Sequence, residues 1–213
     1  MSSSAPIDVT FDFRTDARGR DPDSHSPRLR EYHQRLWSKP LPTGEIFKFS
    51  RSKPGVYLHH RSERGEYSLS SDSVIPTFVG HKRLDHLTTQ IPEHELEEFQ
   101  RTSYTMGGMM IFPSNRVDRK PTINGARGIN AKIRDRFDLA LECIRRHYDG
   151  GTSPLACTLE RYREFFALFS DFPGYVEFFL LQDLAASDFS GVKCFMPFTG
   201  FDDSPVPTSI GAF

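Results

Sequence analysis

The densest group of basic side chains in this 213-residue chain lies between residues 116 and 136. Seven arginines and lysines stand there against two aspartates, although the formal net charge of the whole chain is only −1. A guanidinium can hold a phosphate in bidentate fashion, and the unpaired amides at a helix N-terminus attract anions. Because this segment precedes the clearest helical pattern of the chain, it predicts a phosphate-binding loop. The residues expected to contact the ligand are Asn115, Arg116, Asn124, Arg127 and Arg136.

Arg127 has a second interpretation, which the residues leave equally open. Its guanidinium could pair with a carboxylate inside the protein, and Asn124 or Asn130 could simply cap a helix. Gly125 and Gly128 would let the backbone approach a ligand closely. Their spacing matches neither of the phosphate-binding patterns GxxxxGK(S/T) and GxGxxG, so no nucleotide-binding fold is indicated.

Three side chains are candidates for acid–base chemistry next to such a ligand: His60, Asp72 and Glu142. His59 and His60 are adjacent in a predicted strand, so one ring points to each face and at most one can share a site with Asp72. Arginines and carboxylates recur at steps of three or four residues in the predicted helix, at Arg134, Asp138, Glu142 and Arg145 or Arg146. This spacing is typical of a solvated face with salt bridges. The alternative is a cleft in which both carboxylates act as an acid–base pair or as metal ligands.

Cofactor and metal chemistry receive no further support from the residue spacing. The histidines and carboxylates form no zinc or calcium signature, so no metal site is predicted and any cofactor stays unknown. Cys143, Cys157 and Cys194 are widely spaced without a CxxC pair, and we expect reduced, structural thiols. Whether the protein is an enzyme is left open by these residues.

These side chains must be positioned by the strands and helices that the sequence pattern indicates. That pattern predicts an α+β fold, in which a small antiparallel sheet packs against a C-terminal layer of three helices. Strand-like runs at residues 45–49, 56–60 and 66–69 are about ten residues apart, which is typical of a meander. In the second half, apolar side chains recur every three or four residues. They predict helices at 130–148, from Ser153-Pro154 onward, and at about 172–185.

Shorter elements are predicted around this framework. Ser26 and Pro27 should begin a helix that continues to Trp37, because serine is favoured at the N-cap and proline at the first helical position. The remaining predictions are strands at 9–13, 106–112 and 192–198, and helices at 81–90 and 92–104.

The chain length favours one domain. Residues 1–25 are polar and turn-rich and are expected to form an N-terminal arm, while residues 26–213 form a single α+β domain. No apolar run reaches the roughly 18 residues of a membrane-spanning helix, and the first residues lack the features of a signal peptide. We therefore expect a cytoplasmic protein without membrane contact.

Ten of the 19 phenylalanines lie between Phe165 and Phe201. Pairs such as Phe165-Phe166 and Phe178-Phe179 cannot both face one side of a helix, so each helix either packs on both sides or exposes an aromatic patch. The second case predicts a non-catalytic module that binds a protein partner through this aromatic C-terminal surface. It is the alternative to the first hypothesis, an enzyme or sensor that binds a phosphate-bearing nucleotide or nucleic acid.

A third hypothesis is transfer chemistry on a nucleotide sugar or ADP-ribose. It is suggested by the segment 54–58 and the polar strand that follows it. It requires Arg51, Glu66 or Ser70 to share one cleft.

Four strings of residues resemble a bacterial family of unknown function: WSKPLP at 37–42, SSDSVIPT at 70–77, TINGARG at 122–128 and DRFDLALECIRRHY at 135–148. The resemblance extends over most of the chain, and relatives are expected to continue in helix beyond the position of Phe213. It implies no activity, ligand or catalytic residue.

Overall fold

The computed structural model of the protein describes residues 6–49, 58–74, 85–129, 136–195 and 197–201. It confirms the α+β class, with short helices and two small antiparallel sheets. Helices α1 to α10 are Arg14–Ala17, Pro22–His25, Pro27–Trp37, Asp85–Thr88, Glu93–Ser103, Ile123–Ala126, Phe137–Tyr148, Ala156–Glu160, Arg163–Phe166 and Phe172–Phe178. Strands β1 to β5 are Lys39–Pro40, Ile46–Phe47, Leu58–Ser62, Gly65–Ser73 and Met109–Pro113. Within the described ranges, no helix has the length and apolar character needed to cross a membrane.

The N-terminal region is helical rather than extended. Ser26 accepts a hydrogen bond from the backbone N–H of Leu29 at 3.0 Å, which confirms the predicted start of α3. The strand predicted at 9–13 is wrong, because two aspartates turn the chain there. The side chain of Asp8 accepts from the backbone N–H of Thr10, and that of Asp12 accepts from the N–H of Arg14, at 3.0 and 2.9 Å.

The strands pair differently from the predicted meander. β2 pairs with β1 in a separate hairpin, because the backbone N–H of Leu41 donates to the carbonyl of Glu45 and Gly44 takes a positive φ of 86° in the turn. The second sheet has the order β3-β4-β5, with all neighbours antiparallel. Its β5 begins at Met109, because residues Met106–Gly108 form a turn of 3-10 helix instead of the predicted strand start.

The register of this sheet decides which side chains share a face. Ser71 lies opposite Ile111, and Asp72 lies opposite Met110. Successive residues point to opposite faces, so Ser71 and Asp72 belong to different sides of the sheet. Both neighbours on β5 are buried, and each face of this strand is therefore covered by other parts of the protein.

The helical layer is more broken than predicted. α7 begins at Phe137, because Arg136 has an extended backbone at the N-cap, while the predicted start at Asn130 lies outside the described residues. The helix predicted from Ser153-Pro154 onward is divided into α8, α9 and a 3-10 turn. α10 ends at Phe178, and Leu180 takes a positive φ of 58° soon after it.

Two further predictions fall partly outside the description or are wrong. Of the helix predicted at 81–90, only Asp85–Thr88 is described as helical, and residues 81–84 lie outside the described ranges. The predicted strand at 192–198 is reduced to one isolated bridge, between Ala185 and Val192.

Aromatic rings form the centre of the core. The ring of Phe47 lies 6.3, 5.8 and 5.3 Å from the rings of Phe165, Phe169 and Phe178. These rings and those of the neighbouring phenylalanines are buried, so the interpretation of helices packed on both sides is confirmed for Phe165, Phe166, Phe169, Phe172, Phe178 and Phe179.

Candidate functional site

Arg127 lies at the C-cap of the short helix α6, and its side chain is 1% exposed. Its guanidinium forms an ion pair with Asp72 and donates to the backbone carbonyl of Ser73 at 2.6 Å. The Nε atom donates to the Oδ1 atom of Asn124 at 3.3 Å. Of the two interpretations of Arg127, the structure therefore shows the internal carboxylate pair. The same group brings Asn124 and Asp72 together with Arg127, at the end of β4.

Arg136 belongs to a different buried group. Its guanidinium is fully buried and binds the carboxylate of Asp138 through Nε at 3.0 Å and through Nη2. The same carboxylate accepts from the backbone N–H groups of Leu139 and Phe195, at 2.9 and 2.8 Å. The charge of Arg136 is thus compensated within the protein.

The other two proposed phosphate contacts lie on the loop before α6. The backbone carbonyl of Asn115 accepts from the hydroxyl of Tyr162 at 2.9 Å, and Arg116 is exposed. A phosphate-binding role stays a prediction for Asn115, Arg116, Asn124, Arg127 and Arg136. Arg127 ends α6 and is not part of the first turn of α7, whereas Arg136 is the N-cap residue of α7.

The acid–base candidates do not converge. His60 is opposite Tyr67 on the sheet face that also carries Ser71, so it points away from Asp72. Its ring is 4.2 Å from that of Phe47, and burial lowers the pKa of His60.

Glu142 forms the salt bridges that its spacing indicates, but its side chain is 7% exposed and is therefore buried rather than solvated. Its carboxylate accepts from the Nε atoms of Arg145 and Arg146, both at 2.8 Å. Burial raises the pKa of Glu142, but the hydrogen bonds from the two arginines outweigh burial, and the pKa is lowered below its usual value. Across the ranges that the structure describes, no three histidines, cysteines or carboxylates gather to hold a metal ion.

Arg51, one of the residues required by the hypothesis of transfer chemistry on a nucleotide sugar or ADP-ribose, lies outside the described ranges. The Nε2 atom of His59 lies 2.7 Å from the Oε1 atom of Glu66, within hydrogen-bonding distance. Glu66 lies on the same sheet face as Ser70. The requirement for a shared cleft stays a prediction.

A large apolar cavity of about 790 Å³ lies elsewhere in the fold. It lies between the end of α3, the start of β5, the start of α7 and the segment 179–184. Its apolar walls include Trp37, Met106, Met110, Phe137, Leu181 and Leu184. Ile7 and Val9 from the N-terminal region, and Lys193 and Phe195 from the C-terminal region, also line it.

Apolar side chains are also exposed around this cavity. Val9, Leu180 and Phe195 line it and are 63%, 57% and 42% exposed. Among the described residues, the other large apolar side chain of comparable exposure is Ile46, at 54%. We call Val9, Leu180 and Phe195 the rim patch.

A family comparison places the chain in a known group of sequences. The model described as "Family of unknown function (DUF6994)" matches residues 7–213. The chain belongs to this family. No curated protein and no solved structure gives a significant match. Membership in DUF6994 therefore brings no ligand or reaction to the site, and the geometry has to carry the functional argument.

Sequence reasoning missed the cavity of this DUF6994 member because its walls come from separate parts of the chain. The run Met106-Gly107-Gly108-Met109-Met110 is the local signal that could have indicated it. Methionine side chains are flexible and adapt to irregular apolar surfaces and ligands. Four residues of this run line the cavity, namely Gly107 and the methionines Met106, Met109 and Met110.

Proposed function

We propose that this protein binds a small molecule with an apolar body in the cavity bordered by the rim patch. The observation that carries the proposal is a concave apolar space of about 790 Å³ whose edge exposes three large apolar side chains. Small-molecule sites are concave, mostly apolar and about 300 to 1,000 Å³ in volume. A ligand that covers the rim patch removes apolar surface from water on both partners, which favours binding.

The polar groups of the cavity support an apolar body rather than a polar one. The hydroxyl of Thr105 donates to the backbone carbonyl of Thr102 at 2.8 Å, so its proton is already used. The carboxylate of Asp138 is engaged by Arg136 and by the N–H of Phe195. A ligand would find few unsatisfied partners for polar groups along these walls.

The chain carries its own reporter for a binding experiment. It has a single tryptophan, and Trp37 lines the cavity. We expect neutral straight-chain alcohols, from hexanol to decanol, to change the Trp37 fluorescence in a saturable way. Each added methylene should tighten Kd about fourfold until the cavity is filled, because burying one methylene contributes about 0.8 kcal/mol.

Two matched variants locate the binding. Leu180→Arg places a charge in the rim patch and should weaken decanol binding at least about tenfold, since a buried charge without a partner is unfavourable. Ile46→Arg makes the same kind of change at a similarly exposed apolar position outside the cavity. It should leave Kd unchanged. Saturable binding by none of the alcohols, or equal weakening by both variants, would overturn the proposal.

A protein partner is the second candidate, and the rim patch is the observation that favours it. Phe195 is the ring that the aromatic C-terminal half exposes there. In this case an apolar segment of the partner would occupy the cavity, and Phe195→Ser should abolish the complex at any salt concentration. Decanol should then compete with the partner, because both use the same walls.

One set of exposed cations could still bind phosphate groups, as the phosphate hypothesis requires. Arg116, Arg119 and Lys120 are exposed and form no ion pair with any residue in the described ranges. If they bind a nucleic acid, its affinity must fall steeply as salt rises. Titration of a short RNA at two salt concentrations tests this, with Arg116→Ala expected to reduce the slope.

A further inference from the structure

Lys193 differs from the other charged residue on the cavity wall. Asp138 is neutralised by Arg136 and accepts two backbone N–H groups. Lys193 is exposed and forms no ion pair with the part of the chain that the structure describes. Among the described residues that line the cavity, its ammonium group is therefore the cationic group that stays available to a ligand.

The backbone on both sides of Lys193 is fixed. Its N–H donates to the carbonyl of Leu184 at 2.9 Å, next to the bridge between Ala185 and Val192. Two residues later, the N–H of Phe195 donates to Asp138 at 2.8 Å. These hydrogen bonds hold the backbone from which the side chain of Lys193 extends, and both Lys193 and Phe195 line the cavity.

We infer that the ligand carries an anionic head group, a carboxylate or a phosphate monoester, and that Lys193 is the residue that selects it. This inference rests on the proposed function. The apolar body enters the cavity, while the head stays at the edge, where it keeps part of its hydration and meets the ammonium group. An anion placed deeper would lose its water without gaining a free cation, because Arg136 is already paired.

The test compares four amphipathic molecules with one ten-carbon chain: decanoate, decyl phosphate, decanol and decylammonium. Each is titrated into the full-length protein below its micelle concentration, with Trp37 fluorescence and calorimetry as readouts. We expect the two anions to bind about fivefold tighter than decanol, as for a partly exposed ion pair, and decylammonium to bind weakest. Decyl phosphate against decanoate separates a lipid-like phosphate head from a carboxylate head.

Three variants assign the preference to one side chain. Lys193→Gln should bring the anions to the affinity of decanol and leave decanol itself unchanged. Lys193→Arg should keep the preference, because it keeps the charge. Lys48→Gln removes an exposed lysine that does not line the cavity, and it should behave like the wild type.

The outcomes separate the two proposals. Equal binding of all four head groups overturns the selection by Lys193 and leaves the apolar cavity in place as the binding site. An anion preference that persists in Lys193→Gln overturns the assignment to this residue. Failure of all four molecules to bind overturns both the inference and the proposed function.

Discussion

The carboxylate of Asp138 accepts the backbone N–H of Phe195 at 2.8 Å, across 57 residues of the chain. The contact joins the first turn of α7 to the C-terminal segment that borders the cavity. The ring of Phe195 also lies 5.8 Å from the guanidinium carbon of Arg136, the ion-pair partner of Asp138. One buried ion pair therefore supports both the helix start and the cavity edge.

Replacing Asp138 should affect stability and ligand binding together. Asp138→Ala removes the carboxylate that pairs with the fully buried Arg136 and should lower the free energy of unfolding by about 3 to 5 kcal/mol. Hydrogen exchange at the Phe195 amide should accelerate, and decanol should bind more weakly. Asp138→Asn keeps an acceptor for the Phe195 N–H, so its amide should remain better protected. Equal exchange in both variants would contradict the role of this hydrogen bond.

The Asp72–Arg127 pair yields a prediction that separates a structural arginine from a ligand-binding one. In the wild type, the side chain of Arg127 is 1% exposed and that of its partner Asp72 is 24% exposed. Arg127→Ala removes the buried guanidinium of this pair. We expect a loss of about 3 kcal/mol in urea unfolding, because a buried pair is broken. The exposed Arg116→Ala should change stability by less than about 0.5 kcal/mol. If instead Arg127→Ala is stable and loses a phosphate ligand, the pair is not structural.

Local patterns in the sequence predicted the parts of the fold that are determined locally. The steps of three and four residues from Phe137 through Leu141 to Ile144 predicted α7, and these three side chains are buried together with all the residues between them. The serine and proline at 26 and 27 start α3 as expected. These features depend on a few neighbouring residues, which is why the sequence reveals them.

Pairing between distant segments could not be read in this way. β2 joins β1 rather than β3, since a hairpin turn needs only nearby residues and its geometry competes with any longer connection. The positive charge of segment 116–136 indicates that an anion lies nearby. It does not distinguish a bound ligand from an internal carboxylate such as that of Asp72. The cavity depends on walls from several parts of the chain, so no single pattern predicts it.

Two adjacent glycines next to the cavity should respond differently to substitution. A Cβ atom on Gly108 would lie 2.5 Å from the backbone carbonyl oxygen of Thr102 and 2.8 Å from that of Ser103. These are backbone atoms at the end of α5, so Gly108→Ala must move the 3-10 turn or the helix. We expect a loss of about 1 to 3 kcal/mol, as for overpacked sites.

Gly107→Ala is the matched control, because a Cβ atom there would meet nothing within 4 Å. It should change the free energy of unfolding by less than about 0.5 kcal/mol. Urea unfolding of both variants measures the difference. Similar losses in the two variants would show that chain flexibility, rather than the close approach to α5, makes glycine favourable in this turn.

The N-terminal helices are tied to the sheet by a carboxylate that should make stability depend on pH. Asp23 accepts from the backbone N–H of Ser71 at 2.9 Å and also from its hydroxyl. Burial is the main cause that raises the pKa of Asp23 from its ordinary 3.8 to about 7, and the nearby Asp21 and Asp72 raise it further while the bonds from Ser71 oppose the shift.

A raised pKa means that the folded protein binds this proton more tightly than the unfolded chain does. The contribution of Asp23 to stability is therefore fully present below pH 3.8 and is lost as the pH rises through about 7. The loss is at most about 4 kcal/mol, from about 1.4 kcal/mol for each pKa unit. Asp23→Asn removes the titrating group, so the wild type should lose stability relative to this variant between about pH 4 and about pH 7. Parallel curves of unfolding free energy against pH for the two proteins would show that Asp23 remains ionised when folded, with its hydrogen bonds from Ser71 outweighing burial.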